Sequence, residues 1–138
     1  MQNPPPVQTA PAKSSTGLDE NIAALLSYVF GWISGLIFFL IEKESRLVRF
    51  HAMQSILLNV LVAVIAIALM ILFSVLLLIT SQISGIVSTL FSLIATLIWF
   101  VLVIGSIIAV IMCLIKAYQR QYFKLPFIGN FAEKFSQK

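Results

Sequence analysis

Between His51 and Ile115 the chain carries no Asp, Glu, Lys or Arg, an uncharged stretch of more than sixty residues. Charged residues make up about a quarter of a typical soluble domain. Here they are 10% of 138 residues, against 60% hydrophobic ones. A chain this short cannot enclose that much apolar surface in a water-soluble core. The sequence therefore predicts an integral membrane protein.

Three apolar blocks carry the prediction: Ile22 to Ile41, Ile56 to Ile79 with a polar run-up from Ser45, and Ile86 to Ile115. About 20 apolar residues cross a hydrocarbon core of roughly 30 Å. None of the blocks alternates apolar and polar residues, so a β-barrel is not expected. The expected fold is an all-α membrane bundle with three transmembrane helices, over about 22–41, 52–79 and 86–115. A fourth span would need a turn near Gly105, where no charged residue or polar cluster supports one. Residues 1–17, rich in Pro, Ser and Thr, read as a disordered tail. Residues 18–125 form the membrane domain and 126–138 a short interfacial helix.

Capping patterns mark the ends. Thr16 with Asp19 fits a box opening the first helix, and Asn130 with Glu133 one opening the last. With three spans, every basic residue except Lys13 falls on one side. The positive-inside rule makes that side cytoplasmic. The expected topology has the N-terminus outside and the C-terminus inside. A prokaryotic cytoplasmic membrane suits a chain with no evident targeting segment.

Small residues supply candidate packing surfaces. Ala23, Ser27, Gly31 and Gly35 recur every four residues, a narrow smooth face for helix docking in lipid. In the second helix Ser55, Asn59, Ala63, Ala66, Met70 and Ser74 share a side, as do Ser88, Ser92, Ala95, Ser106, Ala109 and Cys113 in the third. These small faces are expected to meet, leaving the large residues to lipid.

Chemistry is sparse. No carboxylate lies inside an apolar block, so the acid relays of pumps are missing. One His and one Cys cannot build a metal site alone. No phosphate loop is present. No catalytic residue, cofactor or metal is expected, and the chain reads as non-enzymatic. Two polar sets remain. Arg46, Arg49, His51, Gln54, Ser55 and Asn59 cluster where the second helix begins and are candidates for a partner or interface contact. Lys116, Arg120 and Lys124, interleaved with aromatics, are candidates for lipid head groups. The expected partners are the bilayer, with anionic lipids, and either further copies of the chain or a larger membrane complex. Nucleic acid is not expected, because a net charge of +4 serves topology. An oligomeric channel or solute carrier is the alternative function, since pores need a polar lining and the stripes are weakly polar.

The segment "LVRFHAMQSILLNV" resembles the signature of the Tic-twenty-like superfamily of chloroplast inner-envelope import components and small bacterial membrane proteins. The blocks "NIAALLSY", "GWISGLIFFLIEKESR" and "LPFIGNFAEK" extend the resemblance from Leu18 to Phe135. It implies a helical membrane bundle and a role in or near protein translocation. It brings no catalytic residues.

Overall fold

A computed structural model describes residues 12–137. The chain forms five helices in order: α1 Glu20–Val29, α2 Trp32–Ile41, α3 Arg46–Ile83, α4 Gly85–Tyr118 and α5 Ile128–Ser136. No strand occurs among the described residues.

Two of these helices, α3 and α4, are long and apolar enough to cross a membrane. At about 1.5 Å per residue they are roughly 57 and 51 Å long. They run antiparallel, joined through the single extended residue Ser84, which caps both. Its N–H donates to the Thr80 carbonyl, and its Oγ accepts from the Ile86 N–H at 3.2 Å.

The expected first span is not one helix. Residues 22–41 break at Phe30 and Gly31 into two helices of ten residues each. Gly31 takes φ 60° and ψ −130°, a conformation closed to residues with a Cβ. The chain reverses there. At the start of α1, Glu20 accepts from the Ser45 hydroxyl, and Asn21 donates to the Tyr118 carbonyl. At the end of α2, Glu42 accepts from Ser15. Residues 12–21, the 42–45 loop and the end of α4 therefore lie at one end of the molecule, here called the base. This arrangement does not fit the expectation that the first block carries the chain from one side to the other.

Several end signals also resolve differently. Asp19, not Thr16, precedes α1, and it makes no capping bond; Thr16 Oγ1 instead bonds Ser14 Oγ at 2.6 Å. Helix α5 begins at Ile128 behind Phe127 at φ 69°, so Asn130 lies inside it. Most of the expected disordered tail, residues 1–11, lies outside the described residues. Its end does not run free: residues 14–18 make a turn, and Ser15 is tied to Glu42.

The core sits in the base. Ala23, Ala24, Tyr28, Leu47, Val48, Cys113 and Ala117 form its buried cluster, and α5 packs against α3 beside it. Beyond Leu58 no residue of α3 is buried, and none of α4 before Cys113. There α3 meets α4 along one seam. The half-covered positions include Val62, Ala66, Leu69, Phe73, Leu76 and Thr80 on α3 and Ser88, Ser92, Ala95, Trp99, Leu102, Ser106 and Ala109 on α4, with Phe91 and Val110 beside them. Alternating steps of four and three are those of a coiled-coil seam. The expected meeting of two small faces holds for α4 only. On α3, Ala63, Met70 and Ser74 face outward, because larger Leu and Phe side chains fill the space above the small residues of α4. Phe73 packs edge-to-face on Phe91 at 5.9 Å. The outer surfaces are bare and apolar: Leu78 is 69% exposed, Val101 72% and Ile86 74%. Apolar exposure on this scale fits contact with lipid, not water.

Candidate functional site

Of the polar set at the start of α3, His51, Gln54 and Ser55 are buried in the base, Arg49 and Asn59 are half-buried and Arg46 is exposed. The order begins with Ser45, which caps α3 by accepting from the Val48 N–H. From there, His51, Ser55 and Asn59 rise along one face at intervals of four, with Gln54 beside them.

His51 is fully buried. Its Nε2 lies 3.0 Å from the Gln121 carbonyl and its Nδ1 3.1 Å from the Tyr28 hydroxyl. A carbonyl only accepts, so in the neutral ring Nε2 carries the proton and Nδ1 accepts from Tyr28. Phe50 stands edge-on to His51 at 5.2 Å and to Tyr122 at 5.4 Å. Gln54 Nε2 donates to the Phe123 carbonyl at 3.1 Å and to Cys113 Sγ at 3.2 Å. These two residues therefore pin the strap after α4, residues 119–127, onto α3. Gln54 Oε1 is buried without a partner.

Ser55 and Asn59 serve the break between α1 and α2. Ser55 Oγ donates to the Gly31 carbonyl at 3.0 Å. Asn59 packs over Gly31, where its Oδ1 lies 3.1 Å from the place a Cβ would take. Its Nδ2 donates to the Ser55 carbonyl. Ser34 closes the turn from the other side: its Oγ accepts from the Phe30 N–H at 3.1 Å and donates to the Ser27 carbonyl at 3.0 Å. Irregular backbone survives at membrane depth only when its polar groups find partners in the protein. Here Ser34 serves the Phe30 N–H and the Ser27 carbonyl, and Ser55 serves the Gly31 carbonyl.

The expected packing residues divide between two helices. Ala23 and Ser27 lie on the buried side of α1, and Gly35 on that of α2. A Cβ on Gly35 would meet the Ala52 carbonyl oxygen at 2.9 Å, so α2 and α3 approach backbone to backbone. Gly31 belongs to the break, not to a continuous helical face.

Glu42 has no role legible in the sequence, yet it is fully buried and ties the base together. It accepts from the N–H groups of Ser15, Glu44 and Ser45 at 2.9–3.1 Å and from Ser15 Oγ at 2.7 Å. Burial alone would raise its pKa. The Ser45, Ser15 and Glu44 donors outweigh it and hold the carboxyl below the usual glutamate range.

The two arginines differ. Arg49 donates to the Glu42 carbonyl at 2.9 Å and to the Ser136 carbonyl at 3.3 Å, and it stacks over Phe39 at 4.7 Å. Arg46 is exposed. Near it, burial and the Glu20 charge raise the Tyr122 phenol, which Arg46 partly offsets.

Lys116, Arg120 and Lys124 do not form one helical face. Helix α4 ends at Tyr118, and Arg120 turns to φ 58°. The Gln121 N–H then reaches back to the Lys116 carbonyl at 2.9 Å, a left-handed closing turn. Lys116 Nζ bonds Gln121 Oε1, and Lys124 pairs with Glu133 at 2.6 Å. Among the described residues, no three His, Cys, Asp or Glu side chains are grouped to hold a metal ion.

The sequence model of the magnetosome magnetite crystal formation protein family matches residues 18–132. UPF0132 membrane protein MJ1443 of Methanocaldococcus jannaschii is 40% identical over 125 residues, covering 91% of this chain and 96% of its own. A UPF0132 membrane protein of Archaeoglobus fulgidus is 36% identical over 117 residues, covering 85% and 95%. A second protein of Methanocaldococcus jannaschii, UPF0132 membrane protein MJ1527, is 59% identical over 39 residues, 28% of each chain. No solved structure matches the chain. These matches overturn the expected kinship with the Tic-twenty-like superfamily. The role in protein translocation came with that resemblance alone and goes with it.

Proposed function

Because this chain belongs to the magnetosome magnetite crystal formation protein family, whose archaeal relatives are named as membrane proteins, we propose that it is a non-enzymatic membrane protein acting through helix contacts. One observation carries this reading. The side-chain bonds that tie separate segments together and the buried core are confined to the base, while beyond Leu58 the hydroxyls of the α3–α4 hairpin bond only locally, within their own helix or at the Ser84 turn, and its outer surface is bare and apolar. The base is a folded root, and the hairpin is the surface offered to lipid and to partner helices. Any part in magnetite crystal formation, as the family description words it, falls to those contacts.

In this reading only α3 and α4 cross the bilayer. The α1–α2 hairpin, about 15 Å per arm, enters the near leaflet and returns. Every basic residue among the described ones then lies at the base, and the Ile83–Gly85 turn carries none. The positive-inside rule makes the base cytoplasmic, so both ends of the described chain lie in the cytoplasm of a prokaryotic cell. The exposed Phe131 and Phe135 stand four residues apart on α5, with Phe127 exposed just before it, and they rest at the membrane surface with Lys116, Arg120 and Lys124 near anionic head groups.

The test is intact-mass measurement in lipid nanodiscs after purification from native membranes. A stoichiometric foreign subunit, or a defined homo-oligomer without ion flux in liposomes, supports the reading. A homo-oligomer that conducts ions replaces it with the channel.

A further inference from the structure

Two adjoining hollows of about 290 and 300 Å³ open on the base, and both are bordered by Arg46, Ser136 and Gln137. The second is also lined by Lys43, Arg49 and Glu44. Three cations face one carboxylate across it. The nearby acids are committed elsewhere: Glu42 to four donors from Ser15, Glu44 and Ser45, Glu20 to Ser45, and Glu133 to Lys124. Arg49 is anchored by carbonyls and the Phe39 ring, not by a carboxylate. Arg46 makes no hydrogen bond or ion pair with any described residue.

This placement runs against helix electrostatics. Arg46 and Arg49 stand in the first turn of α3, at its positive end, and that turn holds no acid. Cations there are unfavourable unless an anion joins them. Guanidinium groups match tetrahedral oxyanions in both geometry and charge. We propose that the Lys43–Arg46–Arg49 cleft binds a phosphate group. Arg49, held by two carbonyls, forms the fixed wall, and Arg46 and Lys43 close on the ligand. The phosphate can belong to a lipid head group, because the exposed Leu40 and Ile41 bring the membrane-facing surface to the cleft's edge. It can equally be a free phosphate ion.

The test uses the whole protein in maltoside micelles, which contain no phosphate. Inorganic phosphate is titrated by calorimetry, and retained phosphatidylglycerol is counted by native mass spectrometry after mixed-micelle exchange. Arg46→Gln and Lys43→Gln are compared with Lys134→Gln, an exposed base outside the cleft. The helical circular dichroism signal confirms that each variant is folded. Binding weakened about tenfold or more by the cleft variants, and unchanged by Lys134→Gln, is the expected result. If phosphate binds and competes, the ligand is the free ion. If only the lipid is retained, it is a head group. No binding of either, or equal weakening by Lys134→Gln, overturns the proposal.

Discussion

Alanine at Gly31 and alanine at Gly105 are expected to act in opposite directions. Gly31 sits at φ 60°, ψ −130°, where an L-side chain is strained by about 1–3 kcal/mol. Its new Cβ would also stand 3.1 Å from Asn59 Oδ1, so Asn59 must shift and loosen its bond to the Ser55 carbonyl. The sum is a loss of roughly 2–4 kcal/mol. Gly105 lies inside α4, and a Cβ there meets nothing within 4 Å. There the ordinary helix preference of alanine over glycine applies, a gain of up to about 1 kcal/mol. The assay is reversible unfolding in mixed micelles with increasing dodecyl sulfate, followed by circular dichroism. A Gly31→Ala variant as stable as the parent, or more so, would refute the break in the first apolar block. It would restore a continuous helix over residues 22–41, in which alanine suits the backbone.

Other expectations follow from the same geometry. Ser55→Ala leaves the Gly31 carbonyl without its α3 donor and should cost about 1–3 kcal/mol in the same unfolding assay; Ser74→Ala, whose hydroxyl bonds only its own helix at Met70, should change little. Gly35→Ala drives a Cβ to 2.9 Å from the Ala52 carbonyl oxygen and should cost about 1–3 kcal/mol, read as a lower midpoint. Glu42→Gln removes a carboxylate held by hydrogen bonds from the backbone and should cost about 2 kcal/mol at neutral pH. Because folding lowers the Glu42 pKa, the unfolded chain takes up more protons, and the stabilisation present above the unfolded pKa fades as pH falls through the folded one. The gap between parent and Glu42→Gln should therefore begin to close as pH falls below about 4.3 and be lost below the lower folded pKa; a gap constant with pH would assign the loss to packing instead.

The membrane character was legible because it rests on length and hydropathy, and α3 and α4 carry both in unbroken runs. The break at Gly31 was not. Two ten-residue apolar helices, end to end, have the length and composition of one span, and hydropathy does not register a reversal. The polar residues of α3 held the missing signal. Ser55 and Asn59 read as a partner or interface contact, whereas Ser55 donates to the Gly31 carbonyl and Asn59 packs over Gly31. The seam between α3 and α4 was half legible: small residues marked it on α4, but on α3 it runs through Leu69, Phe73 and Leu76, which look lipid-facing when small size is the criterion. Lys116, Arg120 and Lys124 seemed to share a face only under an assumed continuous helix, which the left-handed turn at Arg120 ends. Glu42 could not be found, because its main partner, Ser15, comes from a segment whose composition favours disorder.

The central claim is that the first apolar block enters the membrane and returns, leaving residues 12–20 on the same side as the loop after α2. Single cysteines at Ala12, Lys43 and Gln82, in a Cys113→Ser background, test it with a membrane-impermeant maleimide applied to intact cells and then to opened ones. The account predicts labelling of position 82 in intact cells, and of positions 12 and 43 only after opening. Labelling of position 12 from outside, with position 43 protected, would contradict it and return the chain to three spans.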